Sequence, residues 1–303
     1  MSKISIIGAA GTLGSSCAMT ISLEGYADEL CLIDVNENFL DNHLMDLENA
    51  FPDKNIYRGT YEDLKGSSII VITAGVPNRN EETSREAYLM DNINIFNKIG
   101  SNIARYASDA IIVTASNPVD LLNYYLYKKM GFQKNQLIGY TLNDSYRFGW
   151  AINKTLNTNK DVYSPVIGEH GDTQVPVFSK VKRNDERIEF TTEQKSQIYQ
   201  EIKTWFVRFN SLNIPRTTGW TTGVGIRKII DALSQKEGTV MTASTVLDGE
   251  YGAKEISIGV PVVINQDGIQ RIMEWDLVAD EQKAFDKSVQ KLKKIVQEHP
   301  TTF

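Results

Sequence analysis

Residues 3–14 read Lys3-Ile4-Ser5-Ile6-Ile7-Gly8-Ala9-Ala10-Gly11-Thr12-Leu13-Gly14, so an apolar run leads directly into a cluster of glycines. The β-branched run predicts a buried parallel strand, and the apolar residues that continue to about Gly25 predict a helix. Glycines between a strand and a helix let the backbone approach a pyrophosphate, which then rests on the helix N-terminus. The G-x-x-G-x-x-G spacing is one residue longer than the usual fingerprint. The segment therefore predicts a dinucleotide-binding βα unit, with a plain glycine turn as the alternative.

A carboxylate at the end of the next apolar run supports the dinucleotide interpretation. Glu29 to Ile33 reads as a second strand, and Asp34 follows it. A carboxylate at that place accepts hydrogen bonds from the adenosine ribose and repels a 2′-phosphate. We therefore expect NAD rather than NADP as the cofactor; otherwise Asp34 is a strand-end or helix-capping acid.

Alternation of strands and helices continues along the first half of the chain. Further buried strands are expected at Ser68–Thr73, taken as the third, at Ala110–Ala115 and at Gln136–Gly139. This order predicts an α/β fold with a doubly wound parallel Rossmann sheet over residues 1–141.

The pattern changes after about residue 141. Loose alternation over Thr173–Lys182 and a turn at Asn184-Asp185 predict antiparallel strands, so residues 142–303 are expected to form an α+β substrate domain. A long helix is expected over about Glu193–Ser211, with Trp205, Phe206 and Phe209 facing inward. Gly219–Gly223 reads as a second glycine-rich element that precedes another helix.

One histidine stands out as a candidate for chemistry. His170, one of three histidines, lies between Gly168 and Gly171, and upstream Asp144 and Arg147 are three residues apart on a predicted helix. That spacing places the carboxylate and the guanidinium on one face. A carboxylate that orients an imidazole, beside a cation that forks onto a substrate carboxylate, suits general acid–base work on a small acid. The alternatives are a turn histidine and a solvated intrahelical pair.

Two further segments are candidates for the same site. Val76–Ser84 is polar, contains Pro77 and Arg79, and is long enough to form a mobile lid before Arg85 opens the next helix. Asn117 precedes a proline and is therefore extended, with its amide at a strand end; a turn asparagine is the alternative.

Composition excludes several classes of function. The chain has 303 residues, a net charge of −6 and two cysteines. The sequence lacks the excess of basic residues that is typical of nucleic-acid binding. No run is long and apolar enough to span a membrane, and no Cys/His spacing predicts a metal site. Cys17 and Cys31 read as core residues, which suits a reducing cytoplasm without a signal peptide. The other two histidines, His43 and His299, are assigned no role.

The motifs together resemble the NAD-dependent lactate/malate dehydrogenases, a family of L-2-hydroxy acid dehydrogenases, over nearly the whole chain. The segments that carry the resemblance are Ile7–Gly14, Thr73–Pro77, Thr83–Arg85, Ser116–Asp120, Asp144–Arg147 and Gly168–Asp172. The resemblance implies a homodimer or homotetramer. It also implies a cofactor site made by Gly8, Gly11, Thr12, Leu13, Gly14, Asp34, Thr73, Ala74, Gly75, Asn92 and Asn117.

The same resemblance implies roles in catalysis. His170 would exchange the proton and be held by Asp144, while Arg147 would clamp the substrate carboxylate. Arg85 would polarise the reacting carbonyl on lid closure, and Asn117 would hydrogen-bond the reacting oxygen and help to place the nicotinamide. Thr221 would lie against the substrate side chain.

Arg79 is the residue expected to set the substrate. In the family an arginine six residues before Arg85 accompanies a second substrate carboxylate, so L-malate and oxaloacetate are favoured. The lid has one extra residue before Arg79, so Asn78 could occupy this position instead, and Glu81-Glu82 would repel a dicarboxylate. The segment Thr141-Leu142-Asn143 before Asp144 also departs from the family pattern and lacks one residue. L-lactate or a bulkier 2-hydroxy acid is the alternative. A non-catalytic NAD-binding protein and a metal-assisted NAD-dependent glycosidase are alternatives from other classes.

Overall fold

One mixed sheet runs through the part of the chain that the computed structural model describes, which is residues 3–76, 89–214 and 216–303. Its nine strands are β1 Lys3–Ile7, β2 Glu29–Ile33, β3 Asn55–Arg58, β4 Ile69–Ile72, β5 Ile111–Thr114, β6 Leu137–Gly139, β11 Thr239–Asp248, β12 Lys254–Asn265 and β13 Gly268–Ile272. Two short antiparallel pairs lie outside it: β7 Val166–Ile167 with β8 Val175–Pro176, and β9 Lys182–Arg183 with β10 Glu186–Arg187. The α-helices of the described residues are α1 Thr12–Glu24, α2 Glu37–Ala50, α3 Leu89–Tyr106, α4 Val119–Met130, α5 Leu142–Thr155, α6 Thr192–Ser211, α7 Gly219–Ser234 and α8 Ala279–Glu298.

The first six strands form the predicted doubly wound parallel sheet, in the order β3-β2-β1-β4-β5-β6. Strand order reverses between β1 and β4. In open α/β sheets this reversal leaves a crevice at the carboxyl ends of the strands, where ligands bind. Both the glycine loop that follows β1 and the Thr73–Gly75 segment that follows β4 lie at this crevice.

The predicted strand count was wrong by one. Asn55–Arg58 forms β3 at the edge of the sheet, so the strand within Ser68–Thr73 is the fourth. Only Ile56 of β3 is buried. An edge strand with one buried side chain lacks the continuous apolar run by which the central strands were recognised.

Antiparallel strands of the second half extend the same sheet. β11 pairs with β6, and Ser244 lies opposite Gly139. The approach is close, because a Cβ built on Gly139 would lie 2.6 Å from the Ser244 Cβ. The predicted antiparallel character of the second half is confirmed by the β11–β12 and β12–β13 pairs and by β9 and β10, which flank the predicted turn at Asn184-Asp185. The division at residues 141 and 142 stays a prediction.

The second glycine-rich element was misplaced, because Gly219 and Gly223 lie inside α7 rather than before it. A Cβ on Gly219 would lie 2.6 Å from the Thr12 carbonyl oxygen, and one on Gly223 would lie 2.8 Å from that of Ser16. These glycines therefore let α7 pack directly on α1, which carries the glycine loop at its start.

A large hydrophobic core surrounds the sheet, and a smaller one joins α5 to α6. Cys17 and Cys31 are buried free thiols in the larger core, as predicted. The smaller core contains Phe148, Ile198 and Ile202. Within residues 3–76, 89–214 and 216–303, no helix has both the length and the apolar character that crossing a bilayer requires.

Candidate active site

The glycine loop after β1 is clamped between two neighbouring strands. Gly8 and Ala9 both donate their backbone N–H groups to the Ile33 carbonyl at the end of β2, at 2.8 and 3.1 Å. Gly8 has φ +91°, and a Cβ there would lie 2.4 Å from the Ala74 nitrogen. A Cβ on Gly14 would lie 2.2 Å from the Gly8 oxygen. Side chains at either position would displace backbone, so only glycine fits this turn.

The N-terminus of α1 is open to an anion. Gly11 caps the helix without a side-chain hydrogen bond, and the first turn, with Thr12 and Leu13, has no acidic residue. A helix N-terminus carries unpaired N–H groups and the positive end of the helix dipole, and α1 begins just after the carboxyl end of β1. This arrangement fits the pyrophosphate of a dinucleotide.

Asp34 is held in place at the carboxyl end of β2. Its carboxylate accepts the Ala10 N–H at 2.9 Å and the Asn36 N–H at 2.8 Å. His43, which was assigned no role, places Nε2 3.1 Å from the Ala10 carbonyl oxygen. Ala10 is therefore held at both its N–H and its carbonyl oxygen, which fixes the loop beside Asp34.

Thr73 and Ala74 are tied to the neighbouring strand ends. The Thr73 hydroxyl donates to the Ile7 and Gly8 carbonyls at 3.1 and 3.0 Å. The Ser116 hydroxyl, at the end of β5, donates to the Ala74 carbonyl at 2.6 Å. The predicted cofactor residues Gly8, Thr73 and Ala74 are therefore held together at one edge of the sheet.

Asn92 links two more of the predicted residues through its side chain. Its Oδ1 accepts the Val76 N–H at 2.8 Å, and its Nδ2 donates to the Asn117 carbonyl at 2.7 Å. Asn92 is buried, while Asn117 is exposed at the strand end. Asn92 Oδ1 also lies 3.2 Å from the position that a Cβ on Gly75 would take. Asn92 therefore joins the ends of β4 and β5, and its predicted contact with the cofactor stays a prediction.

Asp144, Arg147 and His170 form one buried cluster. Asp144 Oδ2 lies 2.5 Å from His170 Nδ1, and Asp144 Oδ1 accepts from Arg147 Nη1 at 3.1 Å. The three side chains are 3%, 9% and 7% exposed. A carboxylate beside Nδ1 sets the histidine tautomer and stabilises the imidazolium. The arrangement can therefore exchange a proton through the imidazole while a guanidinium lies next to it.

The His170 backbone is anchored to the sheet by a residue that sequence analysis did not single out. Its N–H donates to Asp120 Oδ2 at 2.7 Å, and Asp120 Oδ1 accepts from the Ser244 hydroxyl at 2.5 Å. Burial raises the pKa of Asp120 to about 7, with the nearby carboxylates of Glu169 and Asp144 acting in the same direction and the two hydrogen bonds opposing them. Asp120 lies in the first turn of α4, three residues after Asn117, so it brings the histidine loop to the carboxyl edge.

The loop around His170 is also fixed on its other sides. Gly168 exchanges backbone hydrogen bonds with Gly259 of β12 at 2.8 and 3.0 Å. The Glu169 N–H donates to Ser288 Oγ at 2.6 Å, and its carboxylate pairs with Lys291 at 2.9 Å. Both Ser288 and Lys291 belong to α8, so the C-terminal helix supports the histidine from behind.

Thr221 lies in the first turn of α7 and is linked to the helix that carries Asp144. The Tyr140 hydroxyl donates to the Thr221 carbonyl at 3.1 Å and to Asn143 Oδ1 at 2.8 Å. Asn143 Nδ2 donates to the hydroxyls of Thr218 and Thr222 at 3.2 and 3.0 Å. The unusual run before Asp144 thus supplies a polar connection between α5 and α7.

Arg79 and Arg85, with the rest of the predicted lid from Pro77 onward, lie outside the described residues. Their predicted roles stay predictions.

Two family matches together span nearly the whole chain. Residues 2–139 match the family described as lactate/malate dehydrogenase, NAD binding domain, and residues 141–302 match lactate/malate dehydrogenase, alpha/beta C-terminal domain. The glycine loop, the open helix end and Asp34 are the features of the first region that fit NAD.

Individual relatives carry both dehydrogenase names. A malate dehydrogenase of Halobacterium salinarum is 34% identical over 96% of this chain and 97% of its own. An L-lactate dehydrogenase of Acetivibrio thermocellus is 32% identical over 97% of this chain and 96% of its own. The solved structure of the malate dehydrogenase from Aeropyrum pernix superposes with a TM-score of 0.90 at 32% identity, covering 97% of each chain. On this sequence and structural evidence, the chain is an NAD-dependent dehydrogenase that belongs to the lactate/malate dehydrogenase family.

Proposed function

We propose that this protein interconverts L-malate and oxaloacetate with NAD. The observation that carries the proposal is the buried cluster of His170, Asp144 and Arg147, which places an imidazole, its orienting carboxylate and a guanidinium together. A 2-hydroxy acid needs both a proton acceptor at its hydroxyl and a cation at its carboxylate. The cluster supplies both kinds of group.

His170 is the proposed proton donor and acceptor. In the oxidation it takes the hydroxyl proton of the substrate, and in the reduction it returns a proton to the carbonyl oxygen. Asp144 lowers the free energy of the imidazolium in between, since its carboxylate lies against Nδ1. The hydrogen bond from the His170 N–H to Asp120 keeps the ring in place during this exchange.

Arg147 is the proposed clamp for the substrate carboxylate, because a guanidinium binds a carboxylate through two parallel hydrogen bonds. Asn117 would hydrogen-bond the reacting oxygen, and Thr221 would contact the substrate side chain. Arg85 would stabilise the charge that develops on the carbonyl oxygen. NAD, when bound, supplies the hydride chemistry.

Gly8, Gly11, Thr12, Leu13 and Gly14 are proposed to hold the pyrophosphate of NAD. Asp34 would accept the ribose hydroxyls. The segment Thr73–Gly75, with Asn92 and Asn117, would border the nicotinamide half. These assignments are supported by the open N-terminus of α1 and by the position of each residue at the carboxyl edge of the sheet.

The choice of malate over lactate is supported by two observations. Three malate dehydrogenases are 34–36% identical to the chain, against 32–33% for the lactate dehydrogenases compared. Arg79 provides a cation for a second carboxylate, and a site with an unpaired arginine would reject a substrate that lacks one. Lactate, or a bulkier 2-hydroxy acid, is the second candidate, because lactate dehydrogenases align over the same length.

Steady-state rates with oxaloacetate, pyruvate and a branched 2-oxo acid test the substrate. We expect oxaloacetate to give the highest kcat/KM, and Arg79→Gln to lower that value while raising the value for pyruvate. An unchanged preference in Arg79→Gln would show that another residue reads the second carboxylate. A higher kcat/KM for pyruvate in the wild type would establish the second candidate instead.

His170→Asn distinguishes an enzyme from a protein that only binds NAD. We expect this variant to lose turnover in both directions while NADH fluorescence reports unchanged binding. Normal turnover in His170→Asn would refute the proposed proton transfer. A wild type that binds NADH but turns over no 2-oxo acid would establish the non-catalytic alternative.

A homodimer, or a homotetramer built from it, is the proposed assembly. Large apolar side chains are exposed on α1 and α2, including Leu23 at 65%, Phe39 at 57% and Met45 at 67%. Large apolar side chains of this kind are what a subunit interface would cover. Sedimentation equilibrium should therefore give a multiple of the 34.0 kDa chain mass, and a monomer would contradict the proposal. The buried free thiols of Cys17 and Cys31 support a reducing cytoplasm as the location.

A further inference from the structure

Helix α6 places an aromatic side chain on the guanidinium of Arg147. The guanidinium carbon lies 4.5 Å from the centroid of the Trp205 ring. Phe209, one turn later, stacks behind Trp205 with ring centroids 5.0 Å apart and planes 14° apart. The sequence pattern predicts only that both rings face inward from a helix, with no role for either in the site.

Arg147 is therefore contacted in two different directions. Asp144 Oδ1 accepts from its Nη1 at 3.1 Å, which fixes one nitrogen. The Trp205 ring holds the group from a second direction, because a cation is attracted to the face of an indole. The Arg147 side chain is only 9% exposed, so little water screens this attraction.

The plane of a guanidinium decides whether it can bind a carboxylate through two parallel hydrogen bonds. We propose that Trp205 is a positioning residue that holds the plane of Arg147 for the substrate carboxylate. The proposal rests on the proposed function, in which Arg147 is the clamp. It makes α6 a part of the substrate site, although α6 contributes no residue to the cluster of Asp144, Arg147 and His170.

The rest of α6 is fixed independently of Trp205. Ile198 and Ile202 are buried in the smaller core with Phe148 of α5. Glu201 pairs with Lys154 of α5 at 2.8 Å. Removal of the indole should therefore leave the helix in place and change what lies on the guanidinium.

Trp150 offers a matched control. It lies on α5 and has its own cationic neighbours, with Lys154 at 5.2 Å and Arg208 at 5.7 Å from its ring. Trp150 is 40% exposed and is not among the residues of the proposed site. Trp150→Leu thus removes an indole and a cation–π contact between the same two helices without touching Arg147.

The test compares Trp205→Leu, Trp205→Phe and Trp150→Leu with the wild type. We expect Trp205→Leu to raise the KM for oxaloacetate by about tenfold and Trp205→Phe by about threefold, because phenylalanine keeps a weaker aromatic face. NADH binding, measured by fluorescence, should stay unchanged in all three variants. Trp150→Leu should leave KM within about twofold of the wild type, because a cation–π contact at an exposed site contributes little.

Tartronate and oxamate are carboxylate analogues that are not turned over. Calorimetry of their binding to the NADH complex therefore measures how well Arg147 binds a carboxylate in the absence of the reaction. We expect Trp205→Leu to weaken both analogues by the same factor as KM, whatever the physiological substrate is. Failure of the proposed function would appear as absent turnover in the wild type, and the analogue measurements would still report on Trp205. Unchanged analogue affinity in Trp205→Leu, an equal loss in Trp150→Leu, or a parallel loss of NADH binding would each overturn the positioning role.

Discussion

Asp120→Asn tests the anchor of the histidine loop. Asp120 accepts the His170 N–H at 2.7 Å and the Ser244 hydroxyl at 2.5 Å, and burial raises its pKa to about 7. The asparagine resembles the protonated acid, because its Oδ1 accepts from His170 and its Nδ2 donates to Ser244. Ser244 lies 2.9 Å from Ser257 and can then donate to that hydroxyl. The substitution therefore removes ionisation while it keeps the hydrogen bonds.

The expected magnitude follows from the raised pKa. An aspartate in the unfolded chain has a pKa of about 3.9. In the folded state Asp120 keeps its proton up to about pH 7. Between these two pKa values the folded state therefore binds more protons than the unfolded state, so the stability of the fold decreases as the pH rises. At about 1.4 kcal/mol for each pH unit, ionisation costs the fold about 4 kcal/mol. That contribution is fully present below the unfolded pKa and is lost as the pH passes the folded one.

Urea unfolding of the wild type and Asp120→Asn, at each pH from 5 to 9, measures this contribution. We expect the free energy of unfolding of the wild type to decrease by about 3 kcal/mol relative to the variant over this range. Other titrating groups cancel in the difference. Parallel curves would refute the reasoning, since they would mean that Asp120 does not change its protonation on folding. If the variant folds poorly, the infrared carbonyl band of a protonated carboxyl group in the wild type, followed against pH, gives the same pKa.

Three further substitutions test the cofactor site and its support. Gly14→Ala should abolish NADH binding measured by fluorescence, because a Cβ would lie 2.2 Å from the Gly8 oxygen; retained affinity would show that the turn can relax. Asp34→Ala should weaken NADH binding and lower the ratio of the NADH affinity to the NADPH affinity, both measured directly. An unchanged affinity ratio would mean that another group excludes the 2′-phosphate. Gly223→Ala should lower the free energy of unfolding by about 2 kcal/mol in urea, since its Cβ would lie 2.8 Å from the Ser16 oxygen; an unchanged midpoint would refute direct packing of α7 on α1.

Much of the fold could be predicted because its signals are local. The run from Lys3 to Gly14 combines a strand, a turn and a helix within a few residues, and Asp34 follows at the spacing that a βαβ unit requires. Asp144 and Arg147 are three residues apart, so helical geometry alone places them on one face. β3 was missed because it buries only Ile56.

The remaining parts of the site depend on contacts that no local pattern records. Asp120 and His170 are separated by 50 residues, and the Tyr140 hydroxyl bonds to Thr221, which lies 81 residues further along the chain. His43 was overlooked because a helix surface looks the same whether it faces solvent or another loop. Trp205 was predicted to face inward, but helical spacing does not record the cation on which its ring lies. The Gly219–Gly223 segment was expected to precede the helix, since the sequence does not distinguish a glycine needed for helix packing from one needed in a loop.

A single carboxylate, that of Asp144, serves two neighbours with different tasks. One oxygen meets the imidazole and the other meets the guanidinium. Mutational dissection of this cluster cannot yield separate energies for His170 and Arg147, because any change in one neighbour redistributes the charge felt by the other. The sum of two single-mutant losses will therefore differ from the loss in the double mutant. The size of that discrepancy measures how strongly proton exchange and anion capture are coupled.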